Sequence, residues 1–276
     1  SEAGEFIVIV PELEEILSTV ALTLSTLSTS SETKPQNDLA GVSVVVTAGP
    51  TREYLDPIRF ISNRSSGKMG FAIARAAARR GAKVQLITGP TALEIPRQKS
   101  IRGGGGEIAT VAVETAEEMR QELNRVLSSQ ARDSADGKTV VFMVAAVMDY
   151  RAESISSSKL KHDKTSSIAF QMKPNPDILR ELGETREALE RQSGRKITLV
   201  GFCAETGEVE EMLKTAREKY SRKRVQLLVA NRVDEGFERD TNHVWILDER
   251  GRVTEVATAS KDVVAERIIN AVAGGI

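Results

Sequence analysis

The chain carries a single cysteine, Cys203, and two histidines, His162 and His243, among 276 residues. A lone thiol excludes an intrachain disulfide framework and suits a reducing compartment, so a cytoplasmic location is expected. So few Cys and His side chains argue against a His/Cys metal site, and no metal ligands are assigned. No apolar run reaches ~18 residues, so no membrane span is expected. Acids and bases nearly cancel, to a net charge of −1. That denies the chain the broad basic footprint of a nucleic-acid or membrane binder and leaves local clusters for phosphates. The N-terminus is acidic and lacks a basic n-region, so it does not read as a secretory signal.

What is present supports a sizeable core, with 40% hydrophobic and 28% charged residues. Residues 1–40 read as a tail and linker, either the remnant of an upstream domain or an added stretch foreign to the domain. A short helix is expected around Glu12 to Leu24, followed by a Ser/Thr-rich stretch with Pro35. The folded domain is expected over 41–276. Short apolar runs at 42–46, 84–88, 108–113, 139–144, 197–202 and 225–230 alternate with helical patterns at 66–80, 116–128, 177–190 and 209–222. Such alternation predicts βαβ units, right-handed crossovers and a mainly parallel sheet. Thr115 and Glu118 form a candidate capping box. A short strand is expected at Ile168–Met172, a hairpin at 244–257, and a closing helix over 261–272. The fold class is therefore a three-layer Rossmann-like α/β domain with a C-terminal β-hairpin plus helix. Between them, 154–167 is Ser/Lys-rich without apolar period and reads as a mobile flap.

The longest polar connection, Thr47 to Gly70, joins the first strand to the first helix. It carries Arg52, Arg59, Arg64 and Lys68 beside Ser62, Asn63, Ser65 and Ser66. Small residues let backbone N–H groups approach an anion, and the following helix N-terminus favours negative charge. The stretch reads as a binding loop for a phosphorylated, carboxylate-bearing small molecule.

Common nucleotide signatures fail here. Gly49, Gly67 and Gly70 lack G-x-G-x-x-G spacing, and the second strand ends in Thr88-Gly89 rather than an acid. Gly67-Lys68 is followed by Met69, so no Walker A loop is present. Neither Tyr54, Tyr150 nor Tyr220 has a Lys four positions on, which disfavours an NAD(P)-dependent short-chain-type oxidoreductase. A non-catalytic nucleotide-binding module is a further alternative. Lys219 and Lys223 share a helix face and, with Lys159, either converge on a triphosphate or are solvated. Asp149, at a strand end, either binds a ligand hydroxyl or outer-sphere Mg²⁺, or caps a turn. Cys203 reads as a small buried residue, His162 as solvated, His243 as structural, and Trp245 as core or interface.

Several ordered motifs then coincide. They are TAGPTRE, DP and RFISNRSSGKMG within 47–70, V-x-TA-x-EM at 113–119, AAV-x-DYR at 145–151 and KLK at 159–161. NPDIL at 175–179, GF-x-AET at 201–206, the Lys219/Lys223 pair and VAN at 229–231 complete the set. Over about residues 41–270 the chain resembles bacterial phosphopantothenate–cysteine ligases. Those enzymes usually form the C-terminal half of a bifunctional coenzyme A biosynthesis protein. The resemblance implies a ligase that activates phosphopantothenate with CTP and Mg²⁺ through an acyl-cytidylate, then joins it to L-cysteine. Positioning and charge neutralisation would carry much of the catalysis. It also implies a homodimer, with an upstream flavin-dependent decarboxylase domain in full-length relatives.

Carried over by motif, Met143, Val144, Ala145, Asp149, Pro176, Asp177, Ile178, Leu179 and Phe202 would line the cytidine site. Lys159, Lys219 and Lys223 would hold triphosphate. Gly49, Arg59, Asn63, Ser65, Ser66, Gly67, Lys68, Met69, Gly70 and Ala145 would hold the acid substrate. Asn63, Arg59 and Lys159 would be catalytic, Lys159 stabilising α-phosphate charge as the flap closes. Mg²⁺ would be carried mainly by the triphosphate. The chain departs from the family at Ala152, His162-Asp163, Cys203, Arg232 and the run Gly103–Gly106. Residues 1–40 lack a recognisable flavin decarboxylase, so that second activity is expected to be absent.

Overall fold

A computed structural model of the chain describes residues 37–97, 106–129, 137–161, 168–236 and 239–274. The expected N-terminal helix and linker, His162, and most of the Gly103–Gly106 run lie outside the described residues, as do 162–167 of the expected flap.

The strands are β1 (Val42–Ala48), β2 (Arg52–Tyr54), β3 (Phe60–Ser62), β4 (Lys83–Thr88), β5 (Glu107–Ala112) and β6 (Lys138–Met143), then β7 (Tyr150–Ala152), β8 (Met172–Pro174), β9 (Lys196–Glu205), β10 (Leu227–Arg232), β11 (Thr241–Asp248) and β12 (Val253–Ser260). The helices are α1 (Lys68–Arg79), α2 (Ala116–Ser129), α3 (Ile178–Ser193), α4 (Val209–Lys223), α5 (Val233–Gly236) and α6 (Lys261–Ala273). Eight strands form one sheet in the order β12-β11-β10-β9-β6-β1-β4-β5. From β5 to β10 every neighbour is parallel, while β11 and β12 add an antiparallel edge. The expected mainly parallel sheet with a terminal hairpin and helix is what forms.

Alternation along the strands separates two cores. Val44, Val46, Val140 and Phe142 face α1 and α6. Val45, Val141, Leu199 and Trp245 face α2, α3 and α4. The sheet is thus covered on both faces, which is why its central strands are apolar throughout. Each fully buried large side chain, Phe142 and Leu199 among them, contributes ~1.5–3 kcal/mol by leaving water. On α1, Ala72, Ala76 and Ala77 are wholly buried, and their small size seats the helix close to β1 and β4. Trp245 is core, and His243 stacks on it with ring centroids 4.1 Å apart.

Several expectations shift. The candidate capping box forms one residue out of register. Glu118 N donates to Thr115 Oγ1 at 3.1 Å, but the Glu118 carboxylate accepts from Glu114 N at 2.7 Å rather than from Thr115 N. The strand expected at 168–172 begins only at Met172, because its partner is the three-residue β7. β9 runs on to Glu205 and β10 to Arg232, since each finds a parallel partner beyond its apolar run. The polar connection 47–70 is not all loop: Arg52–Tyr54 pairs antiparallel with Phe60–Ser62.

Candidate functional site

The C-terminal ends of β6, β9 and β10 and the chain entering α1 open onto one cleft of about 620 Å³. Ligands of open α/β sheets bind at this edge. Its floor is stitched together by the first loop. Thr47 Oγ1 accepts from Val144 N at 3.1 Å and Ala145 N at 3.2 Å. Thr51 Oγ1 accepts from Met148 N at 3.0 Å, and Ala146 N donates to Gly49 O at 2.9 Å. The chain leaving β6 is therefore held open across Met143–Asp149, with its small residues facing the cleft.

One wall is the start of α1. Its N-cap, Gly67, lies at φ 84° and offers no side-chain acceptor to the first-turn N–H groups. No acid sits in that turn, so the positive end of the helix dipole faces the cleft without internal compensation. Lys68 lines the same wall and pairs with Asp240 at 2.6 Å. The Lys68 hydrogen bond and charge hold the Asp240 carboxyl below its usual range.

The opposite wall comes from α3 and α4. Asp177 caps α3, accepting from Arg180 N at 3.2 Å, and its other oxygen pairs with Lys223. Lys219 pairs with Glu205 at the end of β9. The close approach of the two helices depends on Gly183, where a Cβ would meet the Lys223 carbonyl oxygen at 2.0 Å. Asn175 fixes the entry to α3. Its Nδ2 donates to Met148 O at 2.8 Å, its Oδ1 accepts from Arg151 at 2.6 Å, and its N–H donates to Asp149 O at 2.7 Å.

The structure brings most of the expected residues together. Met143, Val144, Ala145, Asp149, Pro176, Asp177, Ile178, Leu179, Phe202, Lys219 and Lys223 line the cleft with Ser65–Gly70. Four expected residues are not in the lining. Gly49 meets the cleft only through its carbonyl, which accepts from Ala146 N. Asn63 sits at its rim, where Nδ2 donates to Ala146 O at 2.9 Å. Arg59 pairs with Asp56 at 2.5 Å, and Lys159 is exposed on the outer segment.

Other lining residues were given no role from the sequence, among them Arg222, Gly236, Asn242 and Lys261, and Asn231 was noted only within the VAN motif. Arg222 had a legible signal, a base three positions after Lys219 on the same helix. Lys261 had none, since a lysine following a Ser helix cap is ordinary. Only 7% of its surface is exposed, and its ammonium donates to Gly236 O at 2.8 Å and Arg239 O at 2.6 Å. Burial pushes the Lys261 amine down to about 8, with Lys68 adding to the effect and Asp240 opposing it. Arg232 is not in the lining and turns instead onto Asp234 at 2.9 Å.

Cys203 is buried at the edge of the cleft. Burial pushes its thiol up to about 11, with Lys219 opposing and Glu205 assisting. The arrangement suits an extended anion lying between the α1 N-terminus and the Lys219/Lys223 wall, and a reaction driven by positioning and charge rather than by an activated side chain.

Comparisons with known proteins place the chain in a family. The family described as the DNA/pantothenate metabolism flavoprotein C-terminal domain matches residues 39–275. The coenzyme A biosynthesis bifunctional protein CoaBC of Mycolicibacterium smegmatis is 38% identical over 266 residues, which is 95% of this chain and 59% of that protein. The CoaBC protein of Escherichia coli K12 is 39% identical over 222 residues, 79% of this chain and 48% of that protein. The chain thus spans about half the length of the curated relatives it matches. A crystal structure of a CoaBC C-terminal domain superposes with a TM-score of 0.65 at 35% identity, covering 86% of this chain and 96% of that one. The DNA/pantothenate metabolism flavoprotein of Streptococcus pneumoniae shares the fold, with a TM-score of 0.62 at 19% identity. The chain belongs to the DNA/pantothenate metabolism flavoprotein C-terminal domain family, the family of the CoaBC C-terminal half.

Proposed function

We propose that this chain is a phosphopantothenate–cysteine ligase of coenzyme A biosynthesis, driven by CTP. The observation that carries the reading is the single cleft that joins the α1 N-terminal wall, the β6 exit and the Lys219/Lys223 wall. An acid substrate needs its phosphate held and its carboxylate free to react, and the α1 wall offers N–H groups and Lys68 for that phosphate. A nucleotide needs an apolar slot for its base and cations for its phosphates. Ile178, Leu179 and Phe202 supply the slot, while Lys219, Lys223 and Arg222 supply the cations.

In the first step a carboxylate oxygen attacks the α-phosphorus, the bond to the β-phosphate bridge breaks, and pyrophosphate leaves. In the second, the cysteine amine attacks the acyl carbon and the acyl–oxygen bond to CMP breaks, giving the amide. Holding both reactants in line across one cleft replaces the missing covalent machinery. Lys159 is assigned to charge at the α-phosphate and Asn63 to the acyl group. Mg²⁺ is assigned to the triphosphate, where it neutralises charge. A second copy of the chain is assigned to the exposed apolar surface of the two small ribbons, at Ile58, Phe60, Tyr150, Ile155, Phe170 and Met172.

The test incubates the chain with phosphopantothenate, L-cysteine and Mg²⁺, adds CTP or ATP, and follows pyrophosphate. Release is expected with CTP and only when the acid is present. No release with either nucleotide would overturn the proposal.

A further inference from the structure

The turn at Leu55–Arg59 and the segment Ser156–Leu160 are joined by a closed set of hydrogen bonds outside the cleft. Asp56 has no exposed surface. Its Oδ1 accepts from Ile58 N and Arg59 N, both at 2.8 Å. Its Oδ2 accepts from Arg59 Nη1 at 2.5 Å and from Leu160 N at 3.1 Å. Arg59 Nη1 also donates to Leu160 O at 3.1 Å. Both main-chain polar groups of Leu160 are therefore taken by one ion pair. Upstream, Ser156 N donates to Leu55 O at 3.1 Å, and Ser156 Oγ donates to Ser158 O at 2.7 Å. Lys159 lies between these two anchors, and both come from the same turn.

Resting on the ligase reading, we propose that Asp56 and Arg59 are positioning residues that set the location of the Lys159 main chain by holding Leu160. Arg59 then acts through Leu160 rather than on the carboxylate of the acid substrate. The physical argument is one of geometry and entropy. A lysine side chain has four rotatable bonds, and its reach is useful only from a fixed backbone. A short exposed segment would otherwise spend its main-chain hydrogen bonds on water. The clamp needs a carboxylate rather than its acid. Burial alone would raise the Asp56 carboxyl, but hydrogen bonds from Ile58 N, Leu160 N, Arg59 N and the Arg59 guanidinium outweigh it and hold it at about 2. Asp56 is therefore ionised throughout the neutral range.

The experiment compares the parent chain with Asp56→Asn, Lys159→Ala and the double variant. Asparagine keeps the Oδ1 acceptor for Ile58 N and Arg59 N and replaces the charged oxygen facing Leu160 and Arg59. Asp56→Asn is expected to lower the rate of pyrophosphate release at saturating CTP about tenfold, with the CTP KM within about twofold. In the Lys159→Ala background it is expected to cost nothing further. Equal fold losses in both backgrounds would mark a merely structural role and overturn the proposal, as would full activity in Lys159→Ala. Arg59→Lys, which keeps charge but loses the planar fork, is the second variant should Asp56→Asn not fold, and it is read against Lys159→Ala in the same way. Hydrogen exchange at the Leu160 amide reads the clamp without any reaction. Faster exchange in the variant is expected, and unchanged exchange overturns the proposal even if the parent chain proves not to be a ligase.

Discussion

The Lys219/Lys223 wall of the cleft and the outer turn at Leu55–Arg59 both fix the backbone beside a lysine, yet they are built in opposite ways. The Lys219/Lys223 wall is carried by two helices packed on the sheet, with Met212, Ala216 and Leu182 buried beneath it. The outer turn is carried by one carboxylate and the main-chain groups it gathers. The first is rigid because many atoms would have to move together. The second is fixed only while Asp56 stays ionised. Lys219 and Lys223 are seated on a core, whereas Lys159 sits on a segment that a single buried charge secures.

The largest effect expected from breaking this contrast lies in the rigid wall. Gly183→Ala drives a methyl into the Lys223 carbonyl and must part α3 from α4. It should destabilise the fold by about 3 kcal/mol in denaturant titration. A loss below about 0.5 kcal/mol would mean that the helices yield and that the wall is not rigid. At the cleft floor, Thr47→Val removes the acceptor for the Val144 and Ala145 N–H groups. A cost of about 2 kcal/mol is expected, again by denaturant titration, and a neutral result would remove Thr47 from the floor.

The smallest effect concerns the outer turn and pH. The Asp56 carboxyl is held at about 2, below the ordinary 3.8. A depressed acid contributes stability that is fully present above the unfolded value and is lost as pH falls through the folded one. Stability should therefore fall from pH 3.8 toward pH 2, and Asp56→Asn should flatten that slope in acid titrations of the melting midpoint. An unchanged slope in the variant would show that other carboxylates carry the acid transition.

Legibility in the sequence follows the range of the forces involved. The helix of α1 was readable because Ala72, Ala76 and Ala77 recur at the period that one buried face requires. The central strands were readable because burial on two faces leaves no room for polar residues. The ribbons β2–β3 and β7–β8 were not, since three-residue strands carry no period and exist only because a partner lies alongside. The ends of β9 and β10 were misjudged for the same reason. At the site, motif resemblance collected the β6 exit, the α3 entry and the two α4 lysines into one cleft, and Arg222 was within reach of helical spacing. Lys261 and Asn242 were not, because nothing local distinguishes a lining residue from a solvated one.

By itself, then, the sequence determined the layered α/β architecture, the long polar connection at 47–70 that leads into a helix start, and the family. Those depend on periodicity, propensity and ordered motifs, all written within a few tens of residues. Tertiary structure alone decided that Thr47 and Thr51 latch the chain leaving β6, that Gly183 brings Lys223 to Asp177, and that Asp56 holds Leu160 across 104 positions of chain. Hydrogen bonds and ion pairs of that kind reward proximity in space, and distance along the chain carries no record of them until the sheet has formed.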